Sequence, residues 1–138
     1  PLQGSGFVVP RRERRTLTAA TWVSSKWPHR APDGQALLRG FVGGATDPGA
    51  LDQSDATLAA QAFDELRARL SISGDPSLVR VFRWPRGTPQ YIVGHADRVA
   101  RLEQRLTLVP GLALTGSGYR GTGIPDCVAD ARATAASM

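Results

Sequence analysis

Glycine spacing near the end of the chain limits what this sequence can fold into. The segment LALTGSGYRGTGIPDC, residues 112–127, places Gly116, Gly118 and Gly121 in the pattern G-x-G-x-x-G. That pattern marks a dinucleotide-binding loop when it opens the helix of a βαβ unit, with an acidic residue about twenty positions further on. The sequence ends at Met138, too soon for that helix, a second parallel strand and the acid. As a complete dinucleotide fingerprint, the pattern fails.

The residues that follow the first glycine also argue against a helix starting there. Gly121, Gly123 and Pro125 would interrupt it, and proline is well tolerated only in the first helical turn. We therefore predict a short buried strand, LALTG, then the glycine-rich loop, then a helix from Pro125. The glycines either let the backbone approach a ligand at a helix N-terminus that favours negative charge, or make a tight connection. The residues alone leave both interpretations open.

Composition fits one small globular domain with a basic surface. The 138 residues are 41% hydrophobic and carry a net charge of +5, which raises nucleic acid or an anionic surface as partners. The arginine-rich stretch RRERR at 11–15 is explained as a hairpin turn, and no nucleic-acid-binding motif accompanies it. We therefore expect no nucleic-acid partner. The single cysteine, Cys127, fits a reducing compartment, so we expect a cytoplasmic protein and leave peripheral membrane association open.

Strand-like and helix-like patterns follow one another along the chain and predict an α+β fold. The expected architecture is an antiparallel sheet of about four strands with packed helices, ending in a strand, glycine-rich loop and helix. The predicted elements are strands at 6–10, 16–25 and 36–44, a helix at 54–72 capped by Ser54 or Asp55, a strand at 78–85, a helix from about His95 to Thr107, and the closing unit.

Neither histidine lies in a pattern that would build an active site. His29 falls in a turn and His95 at a helix start, and neither is at metal-ligand spacing to Cys127 or to paired carboxylates. The sequence contains no G-x-S-x-G elbow and no complete phosphate-binding P-loop. We assign no catalytic residue and no metal ligand to this chain.

The other charged and aromatic side chains have structural interpretations. Arg120, among the glycines, is interpreted as a solvated loop charge. Carboxylates on the arginine-rich helices are expected to form surface ion pairs, and large aromatic side chains to pack in the core or on a sheet face. The carboxylates are Asp64, Glu65, Asp97 and Glu103, and the aromatics are Trp22, Trp27, Phe82 and Trp84.

Four motifs run in order along nearly the whole chain: GFVVPRRE, TWVSSKWPHRAPDGQALLRGFVGGA, VFRWPRGTPQYIVGH and LTGSGYRGTGIPDCVADARATA. Together they resemble the C-terminal portion of protoporphyrinogen/coproporphyrinogen oxidases, within the amine-oxidase-like group of FAD enzymes. The third resembles that family's W-x-x-x-x-P-Q-Y-x-x-G-H, and the last its C-terminal flavin-contacting segment. The stretch 54–72 is the least distinctive, and Trp27 stands where phenylalanine is common.

The resemblance implies a fragment of a two-domain, FAD-linked oxidase. Residues 1–88 would belong to the substrate-binding sheet domain and residues 89–138 to the C-terminal part of the FAD-binding domain, the two forming one compact unit in isolation. The family's own dinucleotide fingerprint lies near its N-terminus and is absent from this sequence. The chain would therefore supply only part of a cofactor site.

The resemblance also implies a role for the glycine-rich loop. Ser117, Thr122, Gly123 and Ile124 would contact FAD near its flavin end, and Gly121 would permit close approach of the backbone. The helix that follows would point its positive N-terminus toward the flavin and favour the anionic reduced form.

The implied activity belongs to the full-length enzyme, which would oxidise protoporphyrinogen IX or coproporphyrinogen III to the porphyrin in haem biosynthesis, with oxygen as acceptor. The partners would be the porphyrinogen and the N-terminal part of the enzyme. We expect the isolated chain to be inactive and not to retain FAD, since the adenine-side contacts are missing. Two alternatives stay open: a stand-alone basic binding module without catalysis, and an amine-oxidising flavoenzyme, against which RAPDG and GIPDC argue.

Overall fold

The computed structural model of the protein describes residues 2–45 and 47–138. Its chain divides into two units, Pro1–Arg83 and Trp84–Met138. The first contains strands β1 (Gly6–Val8), β2 (Leu17–Trp22) and β3 (Leu38–Val42) and helices α1 (Val23–Lys26) and α2 (Asp55–Leu70). The second contains helices α3 (His95–Leu106) and α4 (Ile124–Ala136). The α+β class is confirmed, while the functional boundary expected at residues 88 and 89 stays a prediction.

The three strands form one antiparallel sheet in the order β1-β2-β3. Ala20 in the central strand pairs with Phe7 on one side and Gly40 on the other. A Cβ at Gly40 would lie 2.8 Å from Cδ2 of Leu17. Glycine at this position therefore leaves room for the fully buried Leu17 side chain.

The turn between β1 and β2 carries the arginine-rich stretch. Residues Arg11–Glu13 form a 3-10 turn, and Arg14 follows with a φ of 48°. The strands on either side pair antiparallel. This confirms the interpretation of RRERR as a hairpin turn.

The core of the first unit lies between the sheet and α2. It is built from Leu17, Ala20, Trp22 and Leu66, all buried. The ring of Phe7 meets Trp22 edge to face, with centroids 5.6 Å apart, an arrangement that aromatic pairs prefer. Trp22 is therefore a core residue, as predicted.

Helix α2 begins where the sequence indicates, because Ser54 Oγ accepts the backbone N–H of Thr57 at 3.1 Å. Farther along the helix, the carboxylate of Glu65 accepts the N–H groups of Thr16 at 2.8 Å and Leu17 at 3.3 Å. Hydrogen bonds to an ionised acceptor are stronger than neutral ones. The surface ion pair expected of Glu65 is thus wrong, since its carboxylate ties α2 to the start of β2.

Several extended segments differ from the prediction. Strand β2 ends at Trp22 because the next four residues form a helical turn, in which the N–H groups of Val23 and Ser24 donate to the carbonyl of Leu37. The predicted strands at 78–85 and 112–116 are not formed within the described residues. A strand requires a hydrogen-bonded neighbour, which alternation of side chains does not supply. The structure therefore has three strands in place of about four.

The segment that includes residues 78–83 is held by a side chain instead. Arg83 donates to the carbonyls of Leu51 at 3.0 Å and Gln53 at 2.8 Å, and it pairs with Asp55 at the start of α2. Phe82 is 76% exposed. The expectation that the aromatics pack inside is wrong for three of them, whose exposures are 56% for Trp27 and 76% for both Phe82 and Trp84.

Both helices of the second unit begin close to their predicted starts. Helix α3 follows Gly94, whose φ is 79°, and starts at His95. Helix α4 starts at Ile124 with Pro125 in its first turn, where the missing N–H of proline is not needed. Neither these helices nor those in the described part of the first unit combine the length and apolar character that crossing a bilayer requires.

Candidate functional site

The candidate site is the glycine-rich loop, residues 115–123, which leads into α4. Two of its glycines have positive φ values, 122° at Gly116 and 136° at Gly121, where residues with a Cβ are strained. The N–H of Tyr119 donates to the carbonyl of Gly116 at 3.1 Å and closes a turn. The loop therefore requires glycine for its own backbone path.

Asp126, in the first turn of α4, lies against the loop. A Cβ at Gly121 would lie 2.7 Å from Cβ of Asp126, and one at Gly123 would lie 2.8 Å from Oδ2 of Asp126. Both are closer than real Cβ contacts. Contact with Asp126 is thus a second reason for glycine at position 121 and the first at position 123. The carboxylate of Asp126 also offsets part of the positive potential of the helix N-terminus.

Four of the five predicted contact residues, Gly121–Ile124, are consecutive and lead into α4. Gly123 is the N-cap of α4 and accepts the N–H of Cys127 at 2.9 Å. Thr122 is exposed, and Ile124 is 82% exposed. Ser117 lies four residues before Gly121, and its carbonyl accepts the hydroxyl of Tyr91. The structure therefore places Gly121–Ile124 at the start of α4.

Tyr91 bridges two of the predicted contact residues, Ser117 and Gly121. Its hydroxyl donates to the carbonyl of Ser117 at 2.6 Å and accepts the N–H of Gly121 at 2.8 Å. No role was assigned to this residue from the sequence. The signal was present, because Tyr91 belongs to the motif VFRWPRGTPQYIVGH.

His95 supports the same arrangement from the start of α3. Its ring stacks on that of Tyr91, with centroids 3.9 Å apart and planes 9° from parallel. Its Nε2 lies 2.9 Å from the carbonyl oxygen of Tyr119, and because a carbonyl only accepts, this nitrogen carries the donated hydrogen. The prediction that His95 starts a helix is confirmed, but it omitted both contacts.

Arg120 belongs to the loop, and its side chain connects α3 with α4. Its guanidinium donates to Oε1 of Glu103 at 2.5 and 3.0 Å, to Oδ1 of Asp130 at 2.7 Å and to the carbonyl of Leu114 at 3.4 Å. The interpretation of Arg120 as a solvated loop charge is wrong. The surface ion pair expected of Glu103 is present, and Arg120 is its partner.

Asp130 anchors the start of the loop. It accepts the hydroxyl of Thr115 at 2.7 Å and the N–H of Gly116 at 3.4 Å in addition to the guanidinium of Arg120. The hydrogen bond from Thr115, with those from Arg120 and Gly116, holds the pKa of Asp130 below its ordinary value. The bonds to Glu103 and Asp130 raise the pKa of Arg120. Asp130 and Arg120 therefore both stay charged at neutral pH.

The family model for flavin-containing amine oxidoreductases matches residues 3–138. The chain belongs to this family. Among curated proteins, it is 40% identical over 132 residues to coproporphyrinogen III oxidase of Bacillus subtilis (strain 168), covering 95% of the chain and 28% of the relative. It is also 35% identical over 138 residues to protoporphyrinogen oxidase 1, chloroplastic, of Arabidopsis thaliana, covering 97% of the chain and 26% of the relative.

A solved structure has the same fold over nearly the whole chain. The protein, from Exiguobacterium sp. 255-15 and provisionally named protoporphyrinogen oxidase, superposes with a TM-score of 0.83 at 40% identity. The match covers 99% of this chain and 30% of the solved one. The chain thus spans less than a third of the relatives it matches, and the resemblance inferred from the four motifs is confirmed.

Proposed function

We propose that this chain is the C-terminal region of a flavin-dependent porphyrinogen oxidase, which oxidises coproporphyrinogen III or protoporphyrinogen IX to the porphyrin in haem biosynthesis, with oxygen as acceptor. The observation that carries the proposal is the 40% identity, over 95% of the chain, to a coproporphyrinogen III oxidase. The relatives bear both substrate names, so the choice between the two porphyrinogens is a matter for experiment.

The chain's part in the enzyme is to supply flavin-side contacts to FAD through Ser117, Gly121, Thr122, Gly123 and Ile124. The described residues fit such a group. The backbone at Gly121 and Gly123 has no Cβ, and Thr122 and Ile124 turn exposed surface outward beside a helix N-terminus. Bound FAD supplies the chemistry, accepting the hydride equivalents of the porphyrinogen and passing electrons to oxygen. The protein residues here bind and orient.

The two segments of the chain belong to different parts of the complete enzyme. Residues 1–88 contribute to the sheet over the substrate, and residues 89–138 return to the FAD-binding domain. In the complete enzyme, other parts of the protein cover the exposed rings of Phe82 and Trp84, because large apolar surface is normally buried.

The location we propose is the cytoplasm, which the single cysteine supports. Peripheral association with a membrane stays a prediction. Co-sedimentation of the full-length protein with anionic vesicles at low and high salt measures it, since an electrostatic association falls as salt rises.

The test of the function uses the full-length protein in which this chain occurs. We expect the purified protein to carry FAD absorbance and to form fluorescent porphyrin from coproporphyrinogen III or protoporphyrinogen IX in the presence of oxygen. Parallel assays with both porphyrinogens and with a set of primary amines separate the substrate classes. Flavin binding with turnover of amines alone would replace the porphyrinogen assignment, and salt-sensitive binding of nucleic acid without flavin would favour the basic binding module.

A further inference from the structure

We propose that Tyr91 and His95 are positioning residues that hold the glycine-rich loop in the shape that receives FAD, an inference that rests on the proposed function. The proposal rests on hydrogen bonds between these two side chains and the loop backbone at three positions. Tyr91 bonds to Ser117 and Gly121, and His95 bonds to Tyr119.

The hydroxyl of Tyr91 both donates and accepts a hydrogen bond within the loop. A phenol offers one donated hydrogen and accepts through oxygen. The hydrogen goes to the carbonyl of Ser117 and the oxygen takes the N–H of Gly121. Both partners belong to the proposed FAD contacts, so the hydroxyl fixes the distance between Ser117 and Gly121.

The ring of Tyr91 is held in turn by His95. Near-parallel stacking at 3.9 Å restricts the rotation of the phenol, and the bond from Nε2 to the carbonyl of Tyr119 ties the imidazole to the middle of the loop. His95 is the first residue of α3. The position of the loop is therefore fixed relative to a regular helix, although its glycines give its own backbone little rigidity.

This arrangement has a consequence for affinity. A loop that is already in its bound shape loses less conformational entropy when a ligand binds. Without the Tyr91 hydroxyl, the N–H of Gly121 loses its partner and the loop samples other conformations. The free energy of FAD binding is then less favourable by the entropy cost of ordering the loop. Loss of the hydroxyl should therefore weaken FAD binding more than it weakens the fold.

The matched pair of variants is Tyr91→Phe and Thr107→Val in the full-length protein. Each removes one hydroxyl that donates to a backbone carbonyl, but Thr107 lies outside the loop, at the end of α3, where its hydroxyl donates to the carbonyl of Gln104 at 2.8 Å. We expect Tyr91→Phe to weaken FAD binding about tenfold by titration of the apoprotein, the loss of roughly one good hydrogen-bond contribution. Thr107→Val should bind as the wild type does.

A second readout is independent of the cofactor. In the apoprotein, hydrogen–deuterium exchange of peptides covering residues 116–123 should rise in Tyr91→Phe and not in Thr107→Val, while the Tm of both stays near that of the wild type. Should Tyr91→Phe fail to accumulate, His95→Gln is measured instead. It keeps a donor for the Tyr119 carbonyl but removes the stacked ring, and it should weaken FAD binding several-fold.

The outcomes separate this inference from the function beneath it. If the wild-type protein binds FAD and Tyr91→Phe binds it equally well, the positioning role alone is overturned. This holds whether or not hydrogen exchange of the loop rises. Equal losses of FAD affinity in Tyr91→Phe and Thr107→Val also overturn it. A wild-type protein that binds no FAD removes the proposed function, and the positioning role falls with it.

Discussion

At the scale of single residues, two glycines of the loop are required for different reasons. Gly121 needs its positive φ, whereas Gly123 has an ordinary φ of −70° and is restricted only by the Asp126 carboxylate. The sequence indicated that glycine lets the backbone approach a ligand, but it gave no means to see Asp126 beside the loop. Contacts of this kind depend on the path of the turn, which the residue spacing does not specify.

We expect Gly123→Val in the full-length protein to lower FAD occupancy severalfold or more while the fold persists. The added side chain would meet both Asp126 and a flavin lying against the loop. The matched control is Gly118→Val, because a Cβ at Gly118 meets no atom within 4 Å. FAD absorbance per protein and circular dichroism measure the two properties. Full occupancy in Gly123→Val would show that this backbone is not a flavin contact.

At the scale of elements, the three longer helices were predicted closely, whereas α1 was predicted as part of the strand 16–25 and the connections between elements were not predicted. Local spacing and capping determine α2, α3 and α4, whose residues repeat at helical intervals behind Ser54, Gly94 and Gly123. Arg120 meets Glu103 of α3 and Asp130 of α4 across separate elements. No local pattern encodes such a meeting, so Arg120 was assigned to solvent.

We expect Arg120→Ala to lower the Tm of the full-length protein by a few degrees, because two carboxylates lose a shared partner and the Leu114 carbonyl loses a donor. Arg120→Lys is the control. It keeps the charge but not the planar fork, and it should fall between wild type and alanine. Thermal unfolding followed by circular dichroism gives the order. An unchanged Tm in Arg120→Ala would mean that the network contributes nothing measurable.

Asp130 gives the same network a pH dependence. Its pKa in the folded protein lies below the ordinary value of 3.8, so its contribution to stability is complete above pH 3.8 and is lost as pH falls through the folded pKa. Asp130→Asn should therefore be less stable than wild type at neutral pH, and the difference should shrink below pH 3.8. Tm values measured from pH 7 to pH 3 check this, and a difference that stays constant with pH would contradict it.

At the scale of the whole molecule, the order of motifs was more informative than any single motif. The glycine pattern alone suggested a dinucleotide fold and failed, while four ordered motifs indicated the family that the comparisons confirm. The predicted strands at 78–85 and 112–116 did not form. Strand formation depends on partner strands from elsewhere in the fold, and the pattern within a segment cannot supply them.

The last prediction is that the 138-residue chain by itself does not retain FAD. The loop at 115–123 offers flavin-side contacts only, and the fingerprint that would hold the pyrophosphate and ribose is absent from the sequence. Contacts to one end of a large ligand leave little free energy after the ligand and loop are ordered. Equilibrium dialysis of the chain against micromolar FAD should leave it colourless, with the full-length protein as the positive control. Tight retention of yellow cofactor by the chain would mean that a complete flavin site exists within these residues, and the division of the site between this chain and the rest of the enzyme would be wrong.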